Sequence, residues 1–296
     1  SSDLAGWTTV VAESMPGASI RQVCRLGGGA AAETFAIDTT DGDVIVKRYP
    51  RRRNGTVQFE WERLRFAQRV GIPVPRPLAL DTDGRWFGMP AYSMTRLTGH
   101  PDVHPRDVAG WLQQLAYALV AIHHTDTTGA TGPLLRPPAV QTWRPPKLRQ
   151  PNALADRTVA AIQNHLPQVS WRPVLIHGDF HPGNTLWNHS RLTGIADWSN
   201  SRLGPRSCDL AYCRADVALL LDRAAADQLT HHYTVITGTT PADLPVFDLI
   251  WGLDVLRKGV RIRRAHRQLG RADNTQQYTA RATAFLLHAL AELGAP

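Results

Sequence analysis

The sequence predicts a bilobal α+β fold: a small strand-rich lobe over residues 1–97 and a larger, mainly helical lobe over residues 98–296. Three observations carry this. Short β-like runs crowd the first 97 residues, and long helical periods replace them beyond Gly99. The third is one strand-loop-strand-loop unit, VLIHGDFHPGNTLWNHSRLTGIADW at 174–198, which crowds carboxylates, imidazoles and an amide at the ends of short apolar runs.

In chain order, ETFAI (33–37) and DVIVKRY (43–49) read as strands joined through TTDG, a hairpin turn. VQFEWERLRFAQRV at 57–70 is helix-compatible, and GIPVPRP stops it because a residue before proline disfavours the helical region. RWFGMPAYSMTRL at 85–97 reads as another hairpin and a final strand. Helical periods then cover 106–123, 154–166, 208–235 and 245–290. The proline-rich stretch 133–151 reads as loop or extended insert, since proline breaks the helical hydrogen-bond ladder. VLI (174–176) is a short buried strand, HGDFHPGN a turn-rich loop, and TLWN (185–188) a second short strand.

The 296 residues, 43% hydrophobic and 20% charged, have the composition of an ordinary soluble globular protein. No apolar run approaches the roughly 18 residues that span a membrane, so no membrane partner is expected. The N-terminus SSDLAGW lacks a signal-peptide pattern, and Cys24, Cys208 and Cys213 lack metal-ligand spacing, so the expected setting is a reducing cytoplasm. Lys and Arg number 33 against 25 Asp and Glu, a formal +8. The excess includes Arg51-Arg52-Arg53 and the run Arg257, Lys258, Arg261, Arg263, Arg264, Arg267, which spreads over several helix faces. That pattern reads as solvated surface, and with no recognition motif a nucleic-acid partner is not expected. Oligomeric state is left open.

The unit at 174–198 directs Asp179, Asn184 and Asp197 toward one edge. Two carboxylates and an amide carbonyl are hard oxygen donors, which suit Mg²⁺ better than Zn²⁺. The spacing D-x-x-x-x-N from Asp179 to Asn184 is that of the kinase catalytic loop, where the aspartate takes the proton of an attacking hydroxyl and the asparagine holds a metal. Asp197 fits the later aspartate that links Mg²⁺ to the phosphates. A rival is metal hydrolysis through His177, Asp179 and His181 as H-x-D-x-H, which leaves Asn184 and Asp197 unused. His177 reads as a loop-orienting hydrogen-bonding residue. His181 reads equally as a solvated loop residue or a substrate contact, while His123-His124 and His231-His232 read as helix-end residues.

HGDFHPGN followed by IADW resembles the aminoglycoside phosphotransferase family, in which H-G-D replaces the protein-kinase H-R-D and a short I-D-W replaces D-F-G. The resemblance runs weakly from about residue 20 to 290 and implies a bilobal protein-kinase-like fold. It implies ATP, or GTP, as co-substrate with Mg²⁺, held between the lobes. It places Lys47 of VIVKRY on the nucleotide phosphates and Glu60 beside it, with Glu62 as the fallback. It assigns the phosphate-covering turn to RLGGGAAAETF, with Gly27, Gly28 and Gly29. It puts Met94 behind the nucleobase, with backbone groups of Thr95 to Leu97 bonding its edge. It makes Asp209 of GPRSCDLAYC a structural support of the catalytic loop.

The acceptor implied is a small molecule bearing a hydroxyl. Antibiotic inactivation (an aminoglycoside, nucleoside or macrolide) is the leading reading. A metabolic kinase for a sugar or amino alcohol is the second, and a catalytically dead kinase-like binding module the third. The basic balance argues against a polycationic acceptor unless the pocket is locally acidic. The segment from Asp197 to Asp209 is too short for a protein-kinase activation loop.

Overall fold

The computed structural model describes residues 2–26, 32–50, 56–136, 143–147, 152–271 and 274–295. Gly27, Gly28 and Gly29, Arg51 to Arg53 and most of the proline-rich stretch lie outside the described residues. Contacts divide the chain into two compact units. One comprises Ser1–Thr98, Thr131–Pro133 and Gly194–Ser199; the other comprises Gly99–Ala130, Leu134–Thr193 and Asn200–Pro296.

In the first unit, β1 (Ile20–Leu26), β2 (Glu33–Thr39), β3 (Gly42–Arg48), β4 (Pro77–Asp81) and β5 (Ala91–Thr95) form an antiparallel sheet in the order β1-β2-β3-β5-β4. The β2–β3 hairpin stands where alternation predicts it. The expected hairpin at 85–97 is corrected: only residues 91–95 form a strand, and its partners, β3 and β4, both lie upstream. Asp81 shapes the connection by accepting the backbone N–H groups of Asp83, Gly84 and Trp86. Pro77 is tolerated because β4 is an edge strand, where a missing donor breaks no ladder. A helix the sequence reading did not include, α1 (Ser2–Ser14), drives Trp7, Val10 and Val11 into a core with Phe35, Ile37, Val44 and Val46. Each large apolar side chain buried this way stabilises by about 1.5–3 kcal/mol.

The expected helix at 57–70 is α2 (Thr56–Arg69). Its buried face carries Leu64, Phe66 and Ala67, and also Glu60 and Arg63. Buried charges at two positions three residues apart need partners, and the next section names them.

The second unit is built on α3 (Val108–His123), α4 (Ala153–His165), α5 (Arg206–Leu220), α6 (Arg223–Thr237), α7 (Leu244–Gln268) and α8 (Thr275–Glu292). Ile162, Leu249, Leu253, Leu286 and Leu290 join α4, α7 and α8 in one core. The single period expected at 208–235 is two helices: Asp222 caps α6 by accepting the Ala225 N–H at 2.8 Å. The period at 245–290 also divides, at Gly270 (φ +93°) and the Asn274 cap of α8. Two short sheets complete the unit. β6 (Val174–Ile176) pairs with β9 (Arg202–Gly204), and β7 (Thr185–Asn188) pairs with β8 (Arg191–Ile195), whose last two residues count with the first unit. No helix of the described residues is long and apolar enough to cross a membrane.

Candidate active site

Side chains alternate along a strand, so Tyr49, one residue past the end of β3, follows Lys47 at the spacing that shares a face, and the register sets Lys47 opposite Tyr92 of β5. The Lys47 Nζ donates to Glu60 Oε2 at 3.3 Å and to Asp197 Oδ1 at 2.9 Å. Glu62 is not the partner: it accepts from Gln58 Nε2 at 2.9 Å. Glu60 Oε2 also receives the Tyr49 hydroxyl at 2.5 Å and the Tyr92 hydroxyl at 3.4 Å. Burial alone would lower the Lys47 pKa, but Tyr92, Asp197 and Glu60 outweigh it and hold the ammonium well above its usual range. Burial, before any other cause, pushes both phenols up, so they stay protonated and donate to Glu60.

Asp197 reaches Lys47 from a left-handed backbone, φ +61°, which costs a non-glycine residue about 1–2 kcal/mol. Its neighbours hold it there. The Ile195 N–H donates to Pro73 O at 2.8 Å, Trp198 Nε1 donates to Ile195 O at 3.0 Å, and the buried Arg63 guanidinium donates to Ser199 O. The Asp197 side chain is 40% exposed against 9% for Glu60, so Asp197 is the carboxylate open to a ligand.

In the second unit the catalytic-type loop hangs on one carboxylate. Asp209, in the first turn of α5, accepts the His177 N–H at 2.6 Å and the Gly178 N–H at 2.7 Å. The helix N-terminus favours its negative charge. Position 178 requires glycine: φ is +79°, and a Cβ there would lie 2.5 Å from Asn200 O. His177 is buried, and its Nδ1 accepts the Asp179 N–H at 3.3 Å. Asn184 Nδ2 donates to Asp179 O at 2.9 Å and to Asp179 Oδ2 at 3.4 Å. The Tyr212 hydroxyl also donates to the Asp179 carboxylate; burial first, then that carboxylate, raises the phenol and keeps it protonated.

His181 Nδ1 accepts the Gly183 N–H at 3.2 Å and lies 3.5 Å from Asp216 Oδ2, while Asp216 Oδ1 lies 2.8 Å from His266 Nε2. Burial alone would raise the Asp216 carboxyl, but His266 and His181 hold it well below the usual carboxylate range. The ring nitrogens of His177 and His181 thus face different backbone amides, and no cluster of three or more His, Cys, Asp or Glu suited to a metal occurs among the described residues. His123 ends α3, its Nδ1 at 2.9 Å from the Tyr233 hydroxyl, whereas His231 and His232 lie inside α6 and not at its end.

Met94 is buried on β5 between Ile45 and Pro77. The Thr95 N–H donates to Arg76 O at 2.9 Å and the Arg96 N–H to Asp43 O at 3.3 Å, so a nucleobase would use the other backbone groups of 95–97. Leu97 packs on Gly194, where a Cβ would lie 2.8 Å from Leu97 Cδ1. Sequence reasoning missed Tyr49, Tyr92, Arg63, Tyr212, Asp216 and His266. Of these, only Tyr49 carried a signal, two residues from Lys47 at the spacing that shares a strand face.

The profile of the phosphotransferase enzyme family matches residues 22–250. The chain belongs to that family. Among curated relatives it is similar to acyl-CoA dehydrogenase family member 10 of Mus musculus, 25% identical over 62% of this chain and 19% of that protein. It is also similar to the homoserine kinase of Methylocella silvestris, 27% identical over 66% of this chain and 64% of that protein. The chain thus spans about a fifth of the length of the first and under two thirds of the second. Among solved structures, a thermostable mutant of aminoglycoside phosphotransferase APH(4)-Ia, in ternary complex with ADP and hygromycin B, aligns with TM-score 0.65 at 16% identity. That alignment covers 96% of this chain and 97% of the other. The GDP and kanamycin complex of APH(2")-IIia aligns with TM-score 0.65 at 18% identity, over 96% and 98%. The fold is the protein-kinase-like aminoglycoside phosphotransferase fold.

Proposed function

We propose that the chain transfers the γ-phosphoryl group of ATP, or of GTP, to a hydroxyl of a small molecule, with an antibiotic as the leading acceptor. The observation that carries this reading is the Lys47 ammonium bonded to both Glu60 and Asp197, residues of which the latter lies 150 positions away. A buried lysine oriented by a helix glutamate and next to a half-open aspartate is what a triphosphate site requires. Lys47 binds the phosphates and Glu60, held by two phenols, orients it. Met94 and the backbone of Thr95 to Leu97 hold the base.

Asp197 and Asn184 each offer an oxygen donor of the kind Mg²⁺ takes. Asp197 presents an exposed carboxylate, and Asn184 commits its NH₂ to Asp179, which leaves the amide oxygen as its ligand atom. When bound, Mg²⁺ offsets the charge on the transferring phosphoryl group. Asp179 positions the acceptor hydroxyl and takes its proton, and the Tyr212 hydroxyl fixes the carboxylate for that task. His177 and Asp209 shape the loop. The three cysteines are free thiols, in keeping with a cytoplasmic setting.

A second reading, a metabolic kinase for a sugar or amino alcohol, is favoured by the homoserine kinase among the relatives. The test is ADP release with MgATP and with MgGTP against hydroxylated antibiotics and metabolites. Asp179→Asn is expected to lower turnover by about 10²–10⁴ with nucleotide affinity unchanged. Turnover confined to one antibiotic class supports the first reading and turnover on a sugar or amino alcohol the second. Wild-type rates in Asp179→Asn remove Asp179 from the role.

A further inference from the structure

The second unit carries a cavity of about 330 Å³ whose apolar wall includes Trp143, Phe247, Ile250 and Trp251. That volume is within the range of small-molecule sites. Trp251 connects it to the chemistry. Its ring meets the Tyr212 ring edge-on at 4.3 Å, and the Tyr212 hydroxyl donates to the Asp179 carboxylate. Trp251 is held in place, since its Nε1 donates to Cys208 O at 3.0 Å. Trp251, a lining residue, therefore links the cavity through Tyr212 to Asp179. A larger cavity of this unit, about 530 Å³, is lined by residues such as Gln163, Leu166 and Trp171, and neither Asp179, Tyr212 nor Trp251 lines it.

The charged lining decides what the cavity takes. It holds three cations, Arg144, Arg257 and Lys258, and one carboxylate, Asp254. Both oxygens of that carboxylate are occupied: Arg257 Nε reaches Oδ1 at 2.9 Å, and Lys258 Nζ reaches Oδ2 at 2.6 Å. An ammonium group entering here would compete with two cations for one carboxylate and meet like charge besides. An anionic group would meet an excess of positive charge instead, and a flat ring would find Trp251 and Trp143.

We propose, resting on the kinase reading above, that the acceptor is an anionic, ring-bearing alcohol. Its ring seats against Trp251 and its carboxylate or phosphate lies toward Arg257, Lys258 and Arg144. Its hydroxyl is delivered along Tyr212 to Asp179. A polycationic aminoglycoside is not the acceptor of this pocket.

The probes are three naphthalenes, each with a hydroxymethyl group on one ring and, on the other, a carboxylate, a carboxamide or an aminomethyl group. Their binding to the full chain, followed by tryptophan fluorescence and calorimetry without nucleotide, needs no turnover. The carboxylate is expected to bind at least about tenfold tighter than the amine, with the amide between them. In Arg257→Ala/Lys258→Ala, which leaves Asp254 bare, the order should invert. Trp251→Phe should weaken all three several-fold and keep their order. Binding of a fluorescent ATP analogue reports that each variant is folded. Equal or tighter binding of the amine by the wild type overturns the inference, as does an order that survives the double substitution. Amine preference together with ADP release on cationic antibiotics would do so while leaving the kinase reading intact. Carboxylate preference in a protein that binds no nucleotide would instead remove the kinase reading, and with it the role of this ligand as acceptor.

Discussion

The Lys47 cluster of the first unit and the Asp179 loop of the second solve the same problem by different means. Each must hold charged groups in fixed positions. Around Lys47 the work is done by side chains: an ammonium between two carboxylates, and two protonated phenols on the inner one. Around Asp179 it is done by backbone. A single buried carboxylate, Asp209, gathers consecutive N–H groups, and a glycine lets the chain pass close to Asn200. Side-chain charge adapts as a ligand arrives, because each partner can be exchanged for a phosphate. Backbone N–H groups held by a buried carboxylate are not exchanged in this way, and on the kinase reading that suits the loop that places the proton acceptor. On the kinase reading, the comparison makes the nucleotide side one of exchange and the acceptor side one of position.

That contrast can be broken most forcefully at Asp209. In Asp209→Asn the amide accepts one N–H and turns its own NH₂ toward the other. We expect a loss of about 3 kcal/mol, seen as a Tm lower by roughly 6–12 °C, with kcat reduced and nucleotide affinity kept. Thermal melts and nucleotide titration check this, and an unchanged Tm would show that the loop stands without Asp209. A smaller effect is expected at Tyr49. Tyr49→Phe removes the shorter donor to Glu60, worth about 1–1.5 kcal/mol, and should weaken nucleotide binding roughly five- to tenfold with less effect on kcat. Tyr92→Phe, with the longer bond, should cost less; the reverse order would mean that Glu60 is not held mainly through Tyr49.

The smallest effect concerns pH. The Asp216 carboxyl lies below its usual range in the folded chain, so its stabilising contribution is present above the unfolded value of about 3.9 and lost as pH falls through the folded one. Asp216→Asn should therefore be less stable at pH 6 and lose less stability on acidification to pH 3, measured by urea unfolding at both. The neighbouring Tyr212, Tyr278 and Cys213 stay neutral across this window. An equal acid loss in the two proteins would place the controlling charge elsewhere.

What could be read in the sequence follows the same division. HGDFHPGN and IADW were legible because their residue types and spacing are local, and the β2–β3 hairpin because alternation is local too. Lys47 and Glu60 needed the family resemblance, since nothing within one strand or one helix shows that they meet. Tyr212 and Asp216 were not legible. On α5 an aromatic and an acid four residues apart look like an ordinary helix face, and their partners lie 33 to 50 positions away. Arg63 was hidden likewise, its acceptor on Ser199 being 136 positions distant. The divisions within 208–235 and 245–290 were present as Asp222, Gly270 and Asn274, but each is one polar or small residue in a long helical period. α1 escaped because Trp7, Val10 and Val11 form only one short apolar stripe.

The membership of Gly194–Ser199 in the first unit has a consequence for the order of synthesis. Asp197 leaves the ribosome 150 residues after Lys47, an interval of roughly 8–30 s at 5–20 residues per second. During that time the nascent sheet and α2 can assemble, with Lys47 paired to Glu60, but the second carboxylate does not yet exist as peptide. The N-terminal unit is therefore the first to begin folding and cannot be the first to finish.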